Sequence, residues 1–389
     1  MPMLFLNDER KIKTMEKFIK GADISTLIEV ERCGGKFSDK GKEMDALDIL
    51  KNYGFNSVRI RLWNHPYSVE GNTYGAGEND LDTTIKLIQR SKKKDFSVLL
   101  DFQYSDFWAD PGKQIKPKAW ENHGVSELEE DVFTYTKEVL EILKEKNAFP
   151  DYVQVGNEVT NGLLWPEGKV PNYDNVALFL NAGIRGVRAV DKDIPVMLHL
   201  DNGGNNKLYR EWFDEFIKRG EDFQIIGLSY YPFWHGTLDM LYNNMKDIAS
   251  RYGKELVIAE VSMGFTMEDY ATYEKLSQEE RKGYATKPSL VEKLEHSMTK
   301  QGQADFMKDF LKKTVCAGKE KTRGFYYWEP AWIPVPGSGW ATKDSLEYMK
   351  DKGSCGNEWA NQALFDYDGN ANPALSIIRD FEVSEDKIK

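Results

Sequence analysis

The sequence predicts an α/β fold, a (β/α)8 TIM barrel that forms a single domain over residues 1–389, with the barrel itself from about residue 18 to 382. Two observations predict it. Eight short β-branched runs alternate with longer amphipathic segments, and no break in composition marks a second domain. An open doubly wound sheet is the alternative, but no glycine-rich phosphate loop follows the first run. The runs are IKGADIS from Ile19, NSVRIRLW from Asn56, FSVLLDFQY from Phe96, YVQVGNE from Tyr152, IPVMLHLDN from Ile194, FQIIGLSYYP from Phe223, ELVIAEVS from Glu255 and RGFYYWEP from Arg323.

Segments with helical periodicity lie between these runs. In EMDALDILKNYG, an apolar stripe runs through Met44, Leu47, Leu50 and Tyr53, which predicts an amphipathic helix against the barrel. The segment EWFDEFIKR is a second predicted helix, and its Trp212 is expected to be a core residue. The connections between runs are therefore helical, as a parallel barrel requires.

Composition excludes several classes of partner. A formal charge of −11 argues against nucleic acid and anionic membranes, which both need clustered lysine and arginine. No stretch approaches membrane-spanning length, and the apolar run Pro2 to Leu6 is too short for a secretory signal. The three cysteines, Cys33, Cys316 and Cys355, suggest no disulfide framework and no zinc site. We expect a cytoplasmic monomer, or an extracellular protein if a leader has been trimmed away.

The carboxyl ends of the predicted strands are unusually polar, and in a barrel these ends surround one mouth. Arg59 and Arg61 share one face of the second strand, where two arginines would be costly without carboxylates to meet them. The polar or aromatic residues at the other ends are Asp101, Gln103 and Tyr104; Asn157 and Glu158; His199, Asp201 and Asn202; Tyr230 and Tyr231; Glu260; and Trp328 and Glu329.

Two glutamates end strands on opposite sides of this mouth. Glu158 follows the fourth strand and Glu260 ends the seventh. Two carboxylates facing each other across a cleft are the minimum equipment for cleaving a glycosidic bond. Alone, either glutamate would more simply be a helix cap or a structural ion pair. Together with eight polar strand ends, the pair favours glycoside hydrolysis.

Tryptophans are concentrated at the same end of the predicted strands. Flat aromatic side chains suit the apolar faces of sugar rings, although loop packing is the alternative for any one of them. Trp212, inside a predicted helix, is the exception among the ten. The nine at or just after strand ends are Trp63, Trp108, Trp120, Trp165, Trp234, Trp328, Trp332, Trp340 and Trp359.

Longer motifs carry a family resemblance over about residues 21 to 375. The chain resembles the glycoside hydrolase family 53 endo-β-1,4-galactanases, which are retaining enzymes on a (β/α)8 barrel. The most specific motifs are YSDFWADPGKQ and SYYPFWHGTL. The other matching segments are GADIS, SVRIRLWNHP, DYVQVGNEVTNGLLWPEG, MLHLDNGG, VIAEVS, GFYYWEPAW and NQALFDYDGN.

The resemblance implies a role for each matching residue. Glu158 would be the general acid/base and Glu260 the nucleophile, with Arg59 holding the nucleophile and Asn157 beside the acid/base. Trp328 would form the floor of the −1 sugar site. The substrate, β-1,4-galactan or galacto-oligosaccharide, would also contact Trp63, Asp101, Gln103, Asp106, Trp108, His199, Asp201, Asn202, Tyr230, Tyr231, Trp234 and Glu329. No cofactor is implied.

The chain departs from the family pattern at the end of its third strand and after its seventh, where Met263 and Phe265 replace the expected aromatic and threonine residues. The resemblance leads us to expect histidine where this chain has Gln103, which cannot become cationic. Related bacterial members hold calcium between the seventh and eighth loops, but the equivalent segment 266–288 lacks closely spaced Asp and Asn ligands. We therefore expect no calcium there and no other metal.

The expected mechanism makes demands on the two glutamates. A retaining enzyme holds its carboxyl groups ~5–5.5 Å apart. Arg59 should keep the pKa of Glu260 low, while a negative neighbour and a partly dry cleft should raise the pKa of Glu158. Among the histidines, His235 is expected near the sugar, and His65 and His296 at the surface.

Other functions remain open from the sequence. A β-1,4-glucanase or mannanase would use the same architecture and chemistry on another sugar. A polysaccharide-binding protein without catalysis is a different class, for which Gln103 gives a small argument. An enzyme that processes imported galacto-oligosaccharides is a third possibility, suggested by the missing signal peptide.

Overall fold

Eight parallel strands close into a barrel in the computed structural model, which describes residues 18–268, 286–353 and 355–383. The last strand pairs with the first, so no sheet edge is left open. Each strand otherwise pairs with its neighbours in chain order. The predicted (β/α)8 barrel is confirmed. The strands are β1 Ile19–Asp23, β2 Ser57–Leu62, β3 Ser97–Phe102, β4 Tyr152–Val155, β5 Val196–Leu200, β6 Ile225–Tyr230, β7 Glu255–Val261 and β8 Thr322–Tyr327.

Helices surround the barrel and connect its strands. Several begin at a side chain that accepts hydrogen bonds from the first turn; Asp45, for example, accepts from the backbone of Leu47 at 2.8 Å. The helices are α1 Leu27–Arg32, α2 Ala46–Asn52, α3 Leu81–Lys92, α4 Val125–Glu145, α5 Tyr173–Val190, α6 Asn206–Ile217, α7 Leu238–Tyr252, α8 Pro288–Val291, α9 Lys300–Ala317, α10 Lys343–Met349 and α11 Ala374–Asp380. Among the described residues, no helix has the length and apolarity needed to cross a membrane.

The two predicted helices differ in how closely they match. α6 contains the predicted segment, and Trp212 is buried there as expected. α2 buries Leu47 and Leu50 as the stripe predicts, but Met44 lies outside it. Met44 instead ends a small hairpin, Phe37–Asp39 with Lys42–Met44, because Asp45 caps the helix immediately after it. Neither this hairpin nor a second one, Gly162–Leu163 with Gly168–Lys169, is predicted from the sequence.

The barrel interior changes from apolar to polar along its axis. Near the amino ends of the strands lies an apolar cluster that includes Leu99 and Met197. Two residues further along the same strands, on the same face, come Asp101 and His199. The apolar layer closes the bottom of the barrel, and the polar layer above it supports the mouth.

Buried carboxylates pair with both arginines and offset the cost of burying their charges, as the sequence predicts. Arg59 lies 2.8 Å from a carboxylate oxygen of Asp23, 2.9 Å from Asp101 and 3.0 Å from Glu260. Arg61 lies 2.6 Å from Glu329. Because each guanidinium is buried, one left without any carboxylate partner would cost about 3–5 kcal/mol.

Glu29 of α1 ties two of the loops around the mouth together. Its Oε2 accepts hydrogen bonds from the backbone of Gly77, after β2, and from the Ser338 hydroxyl, after β8, each at 3.0 Å. Burial raises the pKa of Glu29 to about 7, although these two hydrogen bonds oppose the shift. The folded chain therefore pays to ionise Glu29 at neutral pH.

We expect Glu29→Gln to abolish part of the pH dependence of stability. Between pH 4.5 and about 7 the folded state holds a proton that the unfolded chain has released, so the free energy of unfolding falls as pH rises. The variant should match the wild-type chain at pH 4 and exceed it at pH 8 by up to about 3 kcal/mol. Urea unfolding at both pH values measures this. If the free energy of unfolding changed by the same amount between pH 4 and pH 8 in the variant and in the wild-type chain, the prediction would be wrong.

Candidate active site

A cleft of about 490 Å³ opens at the carboxyl end of the barrel. Its lining combines carboxylates, amides and aromatic rings, the composition of a carbohydrate site. Residues that line it include Gln103, Trp108, Asp110, Asn157, Glu158, Asp201, Asn202, Tyr231, Trp234, His235, Glu260, Trp328, Trp340 and Trp359. Both predicted catalytic glutamates are therefore at the same cleft.

Local backbone geometry aims Glu158 into the cleft. β4 ends at Val155, and Gly156 follows with φ +77°, where an added Cβ would come within 2.7 Å of the Val159 side chain. Glu158 itself has φ +45°, a left-handed conformation that costs a non-glycine residue about 1–3 kcal/mol. Trp212 supports the turn that follows by donating its indole N–H to the Val159 carbonyl at 3.1 Å. The surrounding packing therefore maintains a strained backbone at this strand end.

A β-bulge aims Glu260 into the cleft. The pairing of β7 with β6 skips one residue, so that Leu228 faces Ile258 but Ser229 faces Glu260. Ala259 belongs to the apolar cluster inside the barrel, and by simple alternation Glu260 would point away from it. Bulges next to active sites commonly redirect a side chain in this way.

The two carboxylates are close enough for a double displacement. One oxygen of Glu158, one of Glu260 and a ring nitrogen of His199 all lie within 4.8 Å of one another. This separation suits the retaining geometry of ~5–5.5 Å and is too short for the ~6.5–9.5 Å of inverting enzymes. We assign no metal to these three groups because both ring nitrogens of His199 are engaged in hydrogen bonds.

Glu260 is held by a cation and a hydroxyl. Arg59 lies 3.0 Å from its Oε1, and the Tyr231 hydroxyl donates to its Oε2 at 2.6 Å. Burial raises the pKa of Glu260, and Arg59 and Tyr231 oppose the rise. The prediction of a low pKa was wrong in direction, because desolvation outweighs the ion pair.

Negative neighbours act on the pKa of Glu158, whereas a cation acts on that of Glu260. Burial raises the pKa of Glu158 well above the ordinary value, and the charges of Glu260 and Asp201 add to the effect, while a hydrogen bond from Ser229 at 2.6 Å opposes it. Arg59 therefore favours the ionised form of Glu260, whereas the neighbouring carboxylates favour the protonated form of Glu158. A carboxyl group that retains its proton suits the role of general acid, which the sequence predicts for Glu158.

Two hydrogen bonds hold the side chain of Asn157 in place beside Glu158. Its Oδ1 accepts from Arg59 Nη2 at 2.8 Å, and its Nδ2 donates to the Ala109 carbonyl at 2.8 Å. The amide has a second N–H on the same nitrogen, and Asn157 lines the cleft. It is placed to donate to a ligand hydroxyl.

Five of the nine tryptophans line the cleft: Trp108, Trp234, Trp328, Trp340 and Trp359. Trp108 and Trp340 stack with ring centroids 4.3 Å apart, and Trp359 meets Trp328 edge to face at 4.9 Å. Trp234 is 41% exposed at the rim. For these five, the prediction of an aromatic mouth is supported by their positions.

The other four tryptophans have packing roles. Trp332 is buried behind Trp340, and Trp120 packs on Tyr135. Trp165 donates its indole N–H to the Asn161 carbonyl. Trp63, predicted to contact substrate, is fully buried and donates to Gln103 at 2.7 Å instead. Loop and core packing explains this group.

Three further predicted substrate contacts are buried under the cleft. Asp101 accepts from Arg59 at 2.9 Å and from Gln154 at 2.7 Å, and burial raises its pKa to about 7. Glu329 binds Arg61 and accepts from the Thr26 hydroxyl at 2.6 Å. His199 contacts Gln154 and Ser229. None of the three lines the cleft, because the arginines and amides of the polar layer use their polar atoms.

Two other predicted contacts point elsewhere. Tyr230 donates its hydroxyl to the Gly236 carbonyl at 2.9 Å, and its ring stacks on Phe306 outside the barrel. Alternation along β6 explains this, since Tyr231 takes the inward face. Asp106 accepts from the backbones of His65 and Lys118, at 3.0 and 2.8 Å, and so orders loops.

Gln103 lines the cleft but is also tied into the wall. Its Oε1 accepts from Trp63 Nε1 at 2.7 Å and from the Ala109 backbone at 3.2 Å, and its Nε2 donates to Asp101 at 3.1 Å. The amide thus presents one acceptor and one donor to fixed partners, and its charge does not change with pH.

Other groups at the cleft were missed or differ from expectation. Ser229 and Gln154 were not predicted, although alternation with Tyr231 and Tyr152 places both inside the barrel.

Asp110 pairs with Lys113 at the rim. His235 lines the cleft as expected, and burial lowers its pKa to about 4. His296 contacts Asp309, away from the cleft. Most of the segment 266–288, for which we expect no calcium, lies outside the described residues.

Comparison with known proteins agrees with this geometry. A sequence profile of glycosyl hydrolase family 53 matches residues 19–378. An endo-beta-1,4-galactanase of Bacillus subtilis is 37% identical over 95% of this chain and 87% of its own. A probable arabinogalactan endo-beta-1,4-galactanase A of Aspergillus terreus is 34% identical over 86% of this chain and 92% of its own.

A solved structure is similar over the same extent. The GH53 catalytic domain of Ignisphaera aggregans superposes with a TM-score of 0.85 at 40% identity, covering 93% of this chain and 95% of its own. The profile match, the sequence relatives and the superposition all extend across the barrel and its cleft. This chain belongs to glycosyl hydrolase family 53.

Proposed function

We propose that this chain is a retaining endo-β-1,4-galactanase that hydrolyses β-1,4-galactosidic bonds in galactan, arabinogalactan or derived galacto-oligosaccharides. The carboxylate oxygens of Glu158 and Glu260 within 4.8 Å of each other are the observation that carries the reaction type. The names of the Bacillus and Aspergillus relatives support the choice of sugar.

The first step forms a glycosyl-enzyme ester. Glu260 attacks the anomeric carbon while the proton of Glu158 passes to the departing glycosidic oxygen, so the C–O bond breaks without expelling an alkoxide. Arg59 and the Tyr231 hydroxyl orient Glu260 for attack. Asn157 donates to the 2-hydroxyl of the −1 sugar, a contact that strengthens as positive charge develops on the ring.

The second step uses the same two glutamates in changed roles. Once Glu260 is an ester it carries no charge, and its contribution to the raised pKa of Glu158 disappears. Glu158 is then a base that takes a proton from water as the water attacks the anomeric carbon, and the ester bond to Glu260 breaks to return its carboxylate. Two displacements on one carbon return the β configuration.

Substrate choice is tested by product analysis. We expect the chain to release short galactooligosaccharides from potato galactan. Hydrolysis of barley β-glucan and of a β-1,4-mannan should be at least about 100-fold slower. Glu158→Gln, in parallel, controls for contaminating activity. Faster release from glucan or mannan would assign the chain to another sugar, and activity equal to Glu158→Gln on every substrate would favour a binding protein.

Gln103→His tests the departure from the family pattern. A neutral imidazole can accept from Trp63 and donate to Asp101, so we expect kcat/KM on galactan to fall less than about tenfold at pH 7. Below about pH 6.5 the ring gains a proton and can no longer accept, so the activity of the variant should fall more steeply on the acidic side than that of the wild-type chain. The pH profile of kcat/KM measures this, with Gln103→Leu as control. Identical wild-type and variant profiles would contradict it.

We also propose that the enzyme works as a monomer. The described residues of one chain supply both glutamates, the arginine and the aromatic lining of the cleft. Light scattering under assay conditions tests this. A dimer with activity lost on dilution would overturn it.

A further inference from the structure

A buried chain of hydrogen bonds joins the two catalytic glutamates from beneath the cleft, by a path that avoids the substrate. The inference drawn from it rests on the proposed role of Glu158 as acid/base. The intermediate members, Arg59, Gln154, His199 and Ser229, come from β2, β4, β5 and β6, and each is fully buried. The polar groups of a fully buried chain cannot form hydrogen bonds with solvent, so each donor needs an acceptor within the protein.

The path begins at the nucleophile. Arg59 lies 3.0 Å from Glu260 Oε1 through Nη1, and its Nε donates to Gln154 Oε1 at 3.2 Å. A guanidinium can only donate, so the carbonyl oxygen of Gln154 must face Arg59. The NH₂ group of Gln154 therefore faces the other way. One of its hydrogens goes to Asp101 Oδ1 at 2.7 Å, and the other is within reach of His199 Nδ1 at 3.1 Å, Asn157 Oδ1 at 3.0 Å and the Gly156 carbonyl at 3.1 Å.

The path then reaches the acid. With Nδ1 accepting from Gln154, the N–H of a neutral His199 lies on Nε2, which is 2.9 Å from Ser229 Oγ. The hydroxyl hydrogen of Ser229 is then available to Glu158 Oε1 at 2.6 Å. With the second hydrogen of the Gln154 NH₂ on His199 Nδ1, every bond along the path runs in one direction, from Arg59 to Glu158.

His199 stays neutral, which leaves its tautomer as the only variable. Burial lowers its pKa well below the ordinary value, with Arg59 and His235 adding to the effect. The rival acceptor for an Nδ1–H is Asn157 Oδ1 at 2.9 Å. That oxygen already accepts from Arg59 Nη2 at 2.8 Å and lies 3.0 Å from Gln154 Nε2. The opposite tautomer would turn Ser229 toward His199 and remove its donation to Glu158.

We propose that Gln154, His199 and Ser229 are positioning residues that hold His199 as its Nε2–H tautomer, keep Glu158 Oε1 as an acceptor and so assign the catalytic proton to Oε2. In the first step the Oε2–H bond breaks as the leaving oxygen gains the proton. In the second step Oε2 takes one proton from the attacking water. Oε1 stays bound to Ser229 in both, so the chain itself transfers no proton.

Charged groups other than this chain also act on Glu158. Glu260 on β7, Asp201 after β5 and Asp110 after β3 all raise its pKa, and Ser229 lowers it. Removal of Ser229 leaves the three anions in place, so the change in the pH profile reports on the serine.

The tautomer can be observed directly. The chain has five histidines, and ¹⁵N chemical shifts of labelled protein distinguish protonated from unprotonated ring nitrogens, with His199→Gln to assign the signals. We expect Nε2 of His199 to carry the proton and Nδ1 to be bare from pH 5 to 8. A protonated Nδ1 in this range would overturn the proposal. Because this measurement needs no substrate, it stands even if galactan proves not to be hydrolysed, a result that would count against the proposed function alone.

Kinetics of Ser229→Ala provide the second test. With galactotetraose we expect kcat/KM to fall about 10- to 100-fold, and with a 2,4-dinitrophenyl galactobioside, whose leaving group needs no proton, less than about 3-fold. The alkaline limb of the kcat/KM profile should move up by about one pH unit, because the carboxylate loses a donor. Equal losses on both substrates, or an unmoved limb, would show a merely structural serine.

Two further comparisons separate the chain from general packing. Ser262→Ala removes another buried serine hydroxyl, one that donates to Gln362 at 3.3 Å, and should leave the limb in place. His199→Gln keeps an N–H donor near the position of Nε2, whereas His199→Leu does not. We expect the leucine variant to reproduce Ser229→Ala and the glutamine variant to recover at least about tenfold in kcat/KM on galactotetraose. Equal kcat/KM for the two would overturn the proposal.

Discussion

Replacement of Glu260 by alanine is expected to lower kcat on galactan by about 10⁵-fold, the largest effect of any single substitution in this chain. The variant loses the atom that attacks the anomeric carbon, and Arg59 and Tyr231 are left facing the space where that carboxylate lay. Because Arg59 keeps Asp23 and Asp101 as partners at 2.8 and 2.9 Å, the fold should survive. Initial rates on galactan and thermal unfolding measure the two effects.

Azide distinguishes this interpretation from general damage to the cleft. A small anion can enter the space left by Glu260 and attack from the same face, so activity on an aryl galactobioside should return as α-galactosyl azide, of inverted configuration. Glu211→Ala is the matched control, since Glu211 is exposed and 3.6 Å from Lys207 on the surface of α6. Substantial galactan hydrolysis by Glu260→Ala without azide would show that another group is the nucleophile.

Glu158→Ala is expected to show a loss that depends on the leaving group. On galactan, whose leaving oxygen must be protonated, kcat/KM should fall about 10³- to 10⁴-fold. On a 2,4-dinitrophenyl galactobioside the first step needs no acid, so kcat/KM should change little. The second step still lacks its base, and kcat should fall with accumulation of the glycosyl-enzyme.

The control for Glu158→Ala also uses azide, but the expected product has the opposite anomeric configuration. Azide attacks the glycosyl-enzyme on the face that Glu158 serves, so the product should be β-galactosyl azide, of retained configuration. Glu158→Gln should unfold no more easily than the wild-type chain at pH 7, because the native carboxyl is buried beside Glu260 and Asp201 and its ionisation is unfavourable. Equal losses of kcat/KM on activated and natural substrates would remove Glu158 from the role of acid.

Alternation along the strands predicted much of the site. Short β-branched runs located all eight strands, and alternation placed Arg59 and Arg61 on one face. The same rule, applied strictly, would have separated Tyr231 at the cleft from Tyr230 outside the barrel. The assignment of Tyr230 to the substrate was therefore an avoidable error.

The roles of the polar residues beneath the cleft could not be predicted in the same way. Asp101 and His199 carry side chains that suit sugar binding, but both form hydrogen bonds with residues of other strands instead. Whether a polar side chain reaches a ligand or another side chain depends on distances between strands that are far apart in the sequence. Those distances follow from barrel closure and register.

The amino-acid sequence by itself determined the barrel, the presence of two glutamates at opposite strand ends and the arginines that need carboxylates, because periodicity and the cost of burying charge are local or compositional properties. The tertiary structure alone decided that Glu260 faces the cleft and that Glu158 is aimed by a left-handed backbone. It also decided that a buried hydrogen-bond chain joins the two glutamates. A bulge, a strained φ and a hydrogen-bond direction each depend on what neighbouring strands present across the barrel, and that is specified only when the barrel is closed.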